Sequence, residues 1–170
     1  MNQLHPPVRS KSSVNGLLLI HSAPSALRQH IEWGLQSILG NWITLQWREQ
    51  PHFPGTFRSS LEFRDKPSTA AKIASALRAW HYLRFEVRED SESGGEYFRY
   101  LPELGIHRVA TDGLGNIILD ENVISKALAD SYDEEALRLS LEKSLGNPWE
   151  YELEPLRNIE LEEVKRLKAI

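Results

Sequence analysis

The chain of 170 residues contains no cysteine, 41% hydrophobic residues and a formal net charge of −4. The absence of cysteine excludes disulfides, thiolate nucleophiles and cysteine-ligated zinc, and it agrees with a cytoplasmic location. No apolar run approaches the ~20 residues that span a bilayer. The apolar run at residues 16–20 is also too short for a signal peptide. Length and composition therefore predict a single globular domain with no membrane partner.

Polarity and charge divide the chain into parts. Residues 1–14 are polar and are predicted to form a flexible N-terminal arm. Residues 15–157 are predicted to form one α+β domain, followed by a C-terminal tail at residues 158–170. Residues 1–110 carry 13 Lys/Arg against 10 Asp/Glu, whereas residues 111–170 carry 7 against 14. An excess of three positive charges is too small for a nucleic-acid surface, so nucleic acid is not expected as a partner.

The first predicted strand, residues 15–21, is an apolar run typical of a strand that is buried on both faces. It ends at His21 and Ser22, and Pro24 then stands where a helix can begin. Apolar residues recur at helical spacing over residues 24–39, which predicts the first helix.

Three further strands and a second helix follow. Period-two alternation predicts strands at residues 43–48, 57–64 and 83–88, and helical spacing predicts a helix over residues 68–80. The resulting βαββαβ order, over residues 15–90, is that of a ferredoxin-like core. Both helices are expected to cover the same face of its sheet.

The remainder of the domain is predicted as a C-terminal β-hairpin and a helical extension. Strands are expected within residues 94–119, with a hairpin turn about Asp112-Gly113-Leu114-Gly115. Helices are expected within residues 121–146. The acidic segment at residues 149–155 is expected to be anchored to the body by its Trp, Tyr and Leu side chains.

Alternation along the strands directs five arginines and two glutamates to the face of the sheet opposite the helices. These residues are Arg48, Arg58, Arg64, Arg84, Arg88, Glu62 and Glu86. RNA-recognition domains of this topology read RNA on that face, but they stack bases on aromatic residues, which here point the other way. Cross-strand Arg–Glu pairs explain the pattern equally well. The apolar run at residues 17–20 predicts that the middle of this face is covered, with the C-terminal helices as candidates.

The candidate ligand-binding residues are His21, Ser22, His30 and Arg84. Ligands of open α/β sheets bind beyond the carboxyl ends of strands, and a helix N-terminus there favours an anion. A general base beside a nucleophile is one interpretation of His21 and Ser22. The alternative is structural, with Ser22 capping the helix and His21 bonded to a neighbouring loop. The six histidines are dispersed, so neither a metal nor another cofactor is predicted.

Many short stretches together resemble an actinobacterial family catalogued as domain of unknown function 3145. They include His21-Ser22-Ala23-Pro24, His30-Ile31-Glu32-Trp33, Pro54-Gly55-Thr56 and Trp149 followed by Glu152-Leu153-Glu154-Pro155. The resemblance covers about residues 15–157 and implies no activity. Family genes often lie beside those of type II fatty-acid synthesis, which implies a role near acyl carrier protein or acyl chains.

Two hypotheses for the function follow. The first is a non-catalytic binding or regulatory protein, which the resemblance would make an accessory to type II fatty-acid synthesis and a partner of acyl carrier protein. The alternative is a small hydrolase or acyl transferase centred on His21 and Ser22. A deep pocket with a convergent carboxylate at His21 favours the enzyme, whereas a filled site there favours the binding protein.

Overall fold

The computed structural model describes residues 12–169, apart from the side chains of residues 160, 161 and 164. The expected N-terminal arm, residues 1–14, therefore lies outside the described residues except for its last three. The strands are β1 (Val14–Pro24), β2 (Arg48–Glu49), β3 (Thr56–Asp65), β4 (Arg84–Asp90), β5 (Gly95–Leu101), β6 (Gly105–Thr111) and β7 (Ile117–Ile118). The helices are a 3-10 turn (Ser25–Leu27), α1 (Arg28–Leu39), α2 (Thr69–Leu77), α3 (Glu121–Asp130), α4 (Glu134–Leu145) and α5 (Asn147–Lys168).

The fold is α+β, and its seven strands form one sheet in the order β2-β3-β1-β4-β5-β6-β7. Every pairing between neighbouring strands is antiparallel. β1 lies between β3 and β4, so both of its edges are paired within the sheet. β6 and β7 form the expected hairpin, closed by a hydrogen bond from the Asp112 N–H to the Asn116 carbonyl.

The main hydrophobic core lies between one face of the sheet and the helices α1 and α2. Inward side chains of β1, β3, β4 and β5 meet the apolar stripes of both helices, so the two helices share one face as expected. The buried residues include Leu18, Ile20, Ile31, Leu35, Phe63, Ile73, Leu77, Phe85, Val87 and Phe98. Trp47, also expected to be buried, is half-buried at the border of this core.

The strand predicted at residues 43–48 is wrong except at its end, because β2 contains just Arg48 and Glu49. Ile43 and Leu45 are buried as the alternation indicated. Their backbone groups, however, bond to side chains instead of a neighbouring strand. The Ile43 carbonyl accepts from Gln36, and the Leu45 N–H donates to Glu32, both on α1. These bonds satisfy the segment without a ladder.

The opposite face of the sheet, here called the outer face, is covered by α5. Gly146, in a left-handed conformation with φ of 82°, ends α4 and turns the chain into α5. Apolar side chains at helical spacing then form a second core with the sheet, made by Trp149, Leu153, Leu156 and Ile159 together with Leu101. Residues 158–168, expected as a tail, belong to this helix.

Candidate functional site

Ser22 and Arg84 are brought together at the carboxyl end of β1. The pairing of β1 with its neighbours shifts after Ile20, and this irregularity sets Ser22 opposite Arg84 at the start of β4. The Arg84 guanidinium donates from Nη1 to the Ser22 hydroxyl at 3.3 Å. Ser22 is fully buried within β1 and does not cap a helix, which corrects the structural interpretation of this residue.

Two other groups complete the environment of Arg84. Its guanidinium carbon lies 4.1 Å from the centre of the Phe53 ring, a cation–π arrangement. Its Nη2 donates to the Glu103 carboxylate at 3.0 Å. The Arg84 side chain is 20% exposed, whereas that of Glu103 is 64% exposed. The cation is therefore held by the buried Ser22 hydroxyl and the half-buried Phe53 ring, and by a solvated carboxylate on the other side.

Arg84 lies in the wall of a cleft of about 550 Å³, here called the Arg84 cleft. The cleft lies between the turn that joins β5 to β6, the loop that carries Phe53, and the first half of α5. Its lining residues are Phe53, Arg84, Leu101, Glu103, Leu104, Pro148, Tyr151, Glu152 and Leu156. Most of these side chains are apolar, and Arg84 alone is positively charged among the described lining residues. An apolar cleft with a few placed polar groups is typical of small-ligand sites.

His21 has a different environment from Ser22. It is buried, and its Nε2 lies 3.8 Å from the Glu86 carboxylate under α5. That nitrogen has no hydrogen-bond partner among the described residues. The backbone carbonyl of His21 accepts a hydrogen bond of 2.7 Å from Gln50, which lies in the loop after β2. The cavity beside His21 measures about 90 Å³, so this residue is enclosed and does not line an open mouth.

His30 lies apart from the other three candidates. It is exposed on α1, and its ring lies edge to face with that of Trp33 at a centroid distance of 5.5 Å. Within residues 12–169, no hydrogen bond joins His21 to Ser22, and His30 contacts none of the other three by hydrogen bond or ion pair. The arrangement thus pairs Ser22 with a cation and places no general base against its hydroxyl.

A partly buried ionic network, here called the α5 network, fixes α5 to the outer face. Arg157 of α5 donates from Nε to Glu86 at 2.7 Å and from Nη2 to the same carboxylate at 2.9 Å. The other edge of its guanidinium bonds to Glu150, two turns earlier on the helix. The Tyr97 hydroxyl donates to Glu86 at 2.9 Å. Glu86 and Tyr97 belong to the sheet, so the network joins the helix to two strands.

The network shifts the pKa values of its members. Burial alone raises the pKa of Glu86, but the neighbouring His21 and the bonded Arg157 outweigh burial and lower it to about 2. The hydrogen bond from Arg157 likewise lowers the pKa of Glu150. Burial and the Glu86 charge raise the pKa of Tyr97. At neutral pH the carboxylates are therefore charged and the phenol is neutral.

Arg99 anchors the junction between α4 and α5. This fully buried side chain donates to the carbonyls of Leu145 at 2.8 Å and Gly146 at 3.2 Å, and to Glu150 at 3.1 Å. A cation suits this position because the last carbonyls of a helix carry partial negative charge. His107, which donates to the Ser144 carbonyl, packs beside it. Burial and the Arg99 charge lower the pKa of His107.

A second cavity, of about 360 Å³, lies beside the α5 network on the outer face. Its apolar lining includes Leu17, Leu19 and Ile117. The network residues that line it, Glu86, Glu150 and Arg157, are bonded to one another and therefore already have partners within the protein. The Arg84 cleft differs because its cation is paired with a solvated carboxylate.

Within residues 12–169, no three His, Asp or Glu side chains form a group that could hold a metal ion. Among these residues there is also no helix that combines the length and apolar character needed to cross a membrane.

Comparison with known proteins gives one match. A family model described as protein of unknown function (DUF3145) matches residues 17–168. No curated protein and no solved structure matches the chain. The match extends from β1 to the end of α5, so it includes both the Arg84 cleft and the α5 network.

Proposed function

We propose a non-catalytic role as a binding protein for this chain, which belongs to the DUF3145 family of proteins of unknown function. Its ligand occupies the Arg84 cleft. The observation that carries this proposal is the position of Arg84 in an otherwise largely apolar cleft at the carboxyl end of the central strand β1. Two of the residues selected from the sequence meet there, because the Arg84 guanidinium in the cleft wall donates to the Ser22 hydroxyl.

The size and chemistry of the cleft support a small amphipathic ligand. Its volume of about 550 Å³ lies within the range of about 300 to 1,000 Å³ found for small-molecule sites. Leu104 and the Tyr151 ring, which are 43% and 80% exposed, supply apolar surface in the cleft. Covering these groups with an apolar ligand removes their surface from water, which is the favourable term in binding.

We further propose that residues 15–90 adopt the ferredoxin-like arrangement. The strand order β2-β3-β1-β4, its antiparallel pairing and the shared face of α1 and α2 support it. In this view β5 to β7 extend the sheet, and α3 to α5 form the helical extension. Because α5 supplies one wall of the Arg84 cleft, the proposed binding site requires the helical extension as well as the core.

The physiological role that we propose is accessory to type II fatty-acid synthesis in the cytoplasm. The resemblance to the family supports it, because genes of that pathway often lie beside family genes. An acyl group, free or attached to acyl carrier protein, has the apolar character that the cleft lining would accept. The candidate partners are therefore acyl carrier protein and the acyl chain itself.

The test uses octanol, an uncharged probe with an apolar tail, and calorimetry or ligand-observed NMR. We expect saturable binding that is lost in Leu104→Asp, because the substitution introduces a charge into the apolar wall. Leu128→Asp on α3 is the matched control, since both leucines are partly exposed, at 43% and 59%, and Leu128 does not line the cleft. Equal binding by both variants, or failure of the unsubstituted protein to bind either octanol or its carboxylate analogue octanoate, would contradict the proposal.

A further inference from the structure

We propose that the ligand of the Arg84 cleft bears a carboxylate, which binds Arg84 by displacing Glu103. This inference rests on the proposed function and adds the chemical class of the ligand. Its basis is that the chain's own carboxylate already occupies the position a ligand anion would take.

The guanidinium of Arg84 is held in place independently of Glu103. The Phe53 ring covers one of its faces, and the buried Ser22 hydroxyl accepts from Nη1. Neither contact involves Glu103. The cation is thus preorganised, which lowers the entropic cost of binding an anion. A guanidinium also presents its N–H donors in a planar fork that matches a carboxylate.

Glu103 is an exchangeable partner of that guanidinium. It lies in the turn between β5 and β6, and its side chain is 64% exposed. Exposed ion pairs contribute little to stability, because water solvates both charges and the side chain loses conformational entropy when it is held. A ligand carboxylate can therefore replace Glu103 at small cost. The released Glu103 would then point into solvent at the rim of the cleft.

The rest of the lining indicates which carboxylates fit. Leu101, Leu104 and Leu156 lie in the same cleft as Arg84, so the carboxylate must be attached to an apolar tail. Glu152 also lines the cleft, and together with Glu103 it repels a second negative charge on the ligand. A single guanidinium facing two carboxylates therefore favours a monoanion over a phosphate dianion.

The experiment compares four probes with the same tail: octanoate, octanol, octylammonium and octyl phosphate. In the unsubstituted protein we expect octanoate to bind most tightly. Glu103→Gln removes the internal competitor, so octanoate should bind more tightly by up to about fivefold, while octanol is unchanged. Arg84→Gln should weaken octanoate by about tenfold or more, because it removes hydrogen bonds to a charged group. Glu135→Gln, an exposed carboxylate on α4, serves as the control for Glu103→Gln.

The results separate this inference from the proposed function. Octanol or octylammonium binding as tightly as octanoate would overturn the carboxylate assignment but leave a binding cleft. Tighter binding of octyl phosphate, or weaker binding of octanoate to Glu103→Gln, would also overturn it. Failure of all four probes to bind would overturn both proposals. Because Glu103 is solvated, its variant should fold even if Arg84→Gln does not, so the competition remains measurable.

Discussion

The charge of Glu86 is predicted to stabilise the attachment of α5 to the sheet. This carboxylate is 5% exposed, accepts two hydrogen bonds from Arg157 and a third from Tyr97, and has His21 beside it. The substitution Glu86→Gln keeps the size of the side chain and removes its charge. The variant therefore measures the contribution of the charge to the attachment of the helix.

The magnitude follows from the pKa of Glu86, which falls from an ordinary value of 4.5 to about 2 on folding. Such a lowering corresponds to about 3 kcal/mol of stability. Because the folded state has the lower pKa, the unfolded state binds more protons between about pH 2 and pH 5, and the free energy of unfolding rises with pH in this range. The contribution is complete above about pH 5, and less than half of it remains at about pH 3.

The assay is urea unfolding of the unsubstituted protein and of Glu86→Gln over this pH range. We expect the variant to be less stable by about 3 kcal/mol near neutral pH, and the difference to shrink steadily as the pH falls. Glu62→Gln, at an exposed position on β3, should differ by no more than about 0.5 kcal/mol at any pH. A Glu86→Gln difference that is small near neutral pH, or that does not change with pH, would refute the reasoning.

Three further predictions concern the core, the α4–α5 junction and metal content. Phe85 is fully buried and stacks on Tyr100, so Phe85→Ala should lower the free energy of unfolding by about 3–5 kcal/mol, and a change near zero in chemical denaturation would show that the core is misassigned. Gly146→Ala should cost clearly more than Gly55→Ala in the same assay. Both glycines have φ of 82°, but a methyl group at Gly146 collides with Arg99 whereas one at Gly55 meets nothing; equal costs would contradict the close packing at the junction. Protein purified without added metal should contain no stoichiometric zinc or iron by elemental analysis, and a bound equivalent of either would overturn that expectation.

The elements that pack by regular periodicity could be predicted from the sequence. Helix α1 and strands β1, β3 and β4 follow their apolar spacing, and the hairpin after β6 follows its Asp-Gly turn. The strand prediction for residues 43–47 is wrong because the alternation there reflects burial. The Ile43 carbonyl and the Leu45 N–H bond to side chains of α1 and not to a neighbouring strand. Alternation alone does not distinguish a strand from such a segment.

The sequence pattern does not predict helix α5, because many acidic residues stand between the members of its apolar stripe. Trp149, Leu153, Leu156 and Ile159 recur at helical spacing, and the acidic residues between them are mostly on the other side. The apolar run in β1 did indicate that something covers the outer face. The partners that attach the cover, such as Arg99 and Glu150, are distant in sequence and leave no local pattern.

The candidate site was partly accessible to sequence reasoning. The polar end of β1 indicated the region, and Ser22 and Arg84 meet there. The irregular pairing after Ile20 could not be foreseen, and it separates His21 from Ser22 in their contacts. Phe53 and Glu103 come from loops, where no periodicity indicates that their side chains approach Arg84.

The most direct test of the central claim, ligand binding in the Arg84 cleft, is an NMR titration of isotope-labelled protein with octanoate. The amide signals of Leu101, Leu104 and Tyr151 should shift together and saturate, because these residues line the cleft. The signals of Ile117, beside the second cavity, and of Leu128, on α3, should stay unchanged. Shifts centred on Ile117, or no saturable shift at the cleft residues, would contradict the claim.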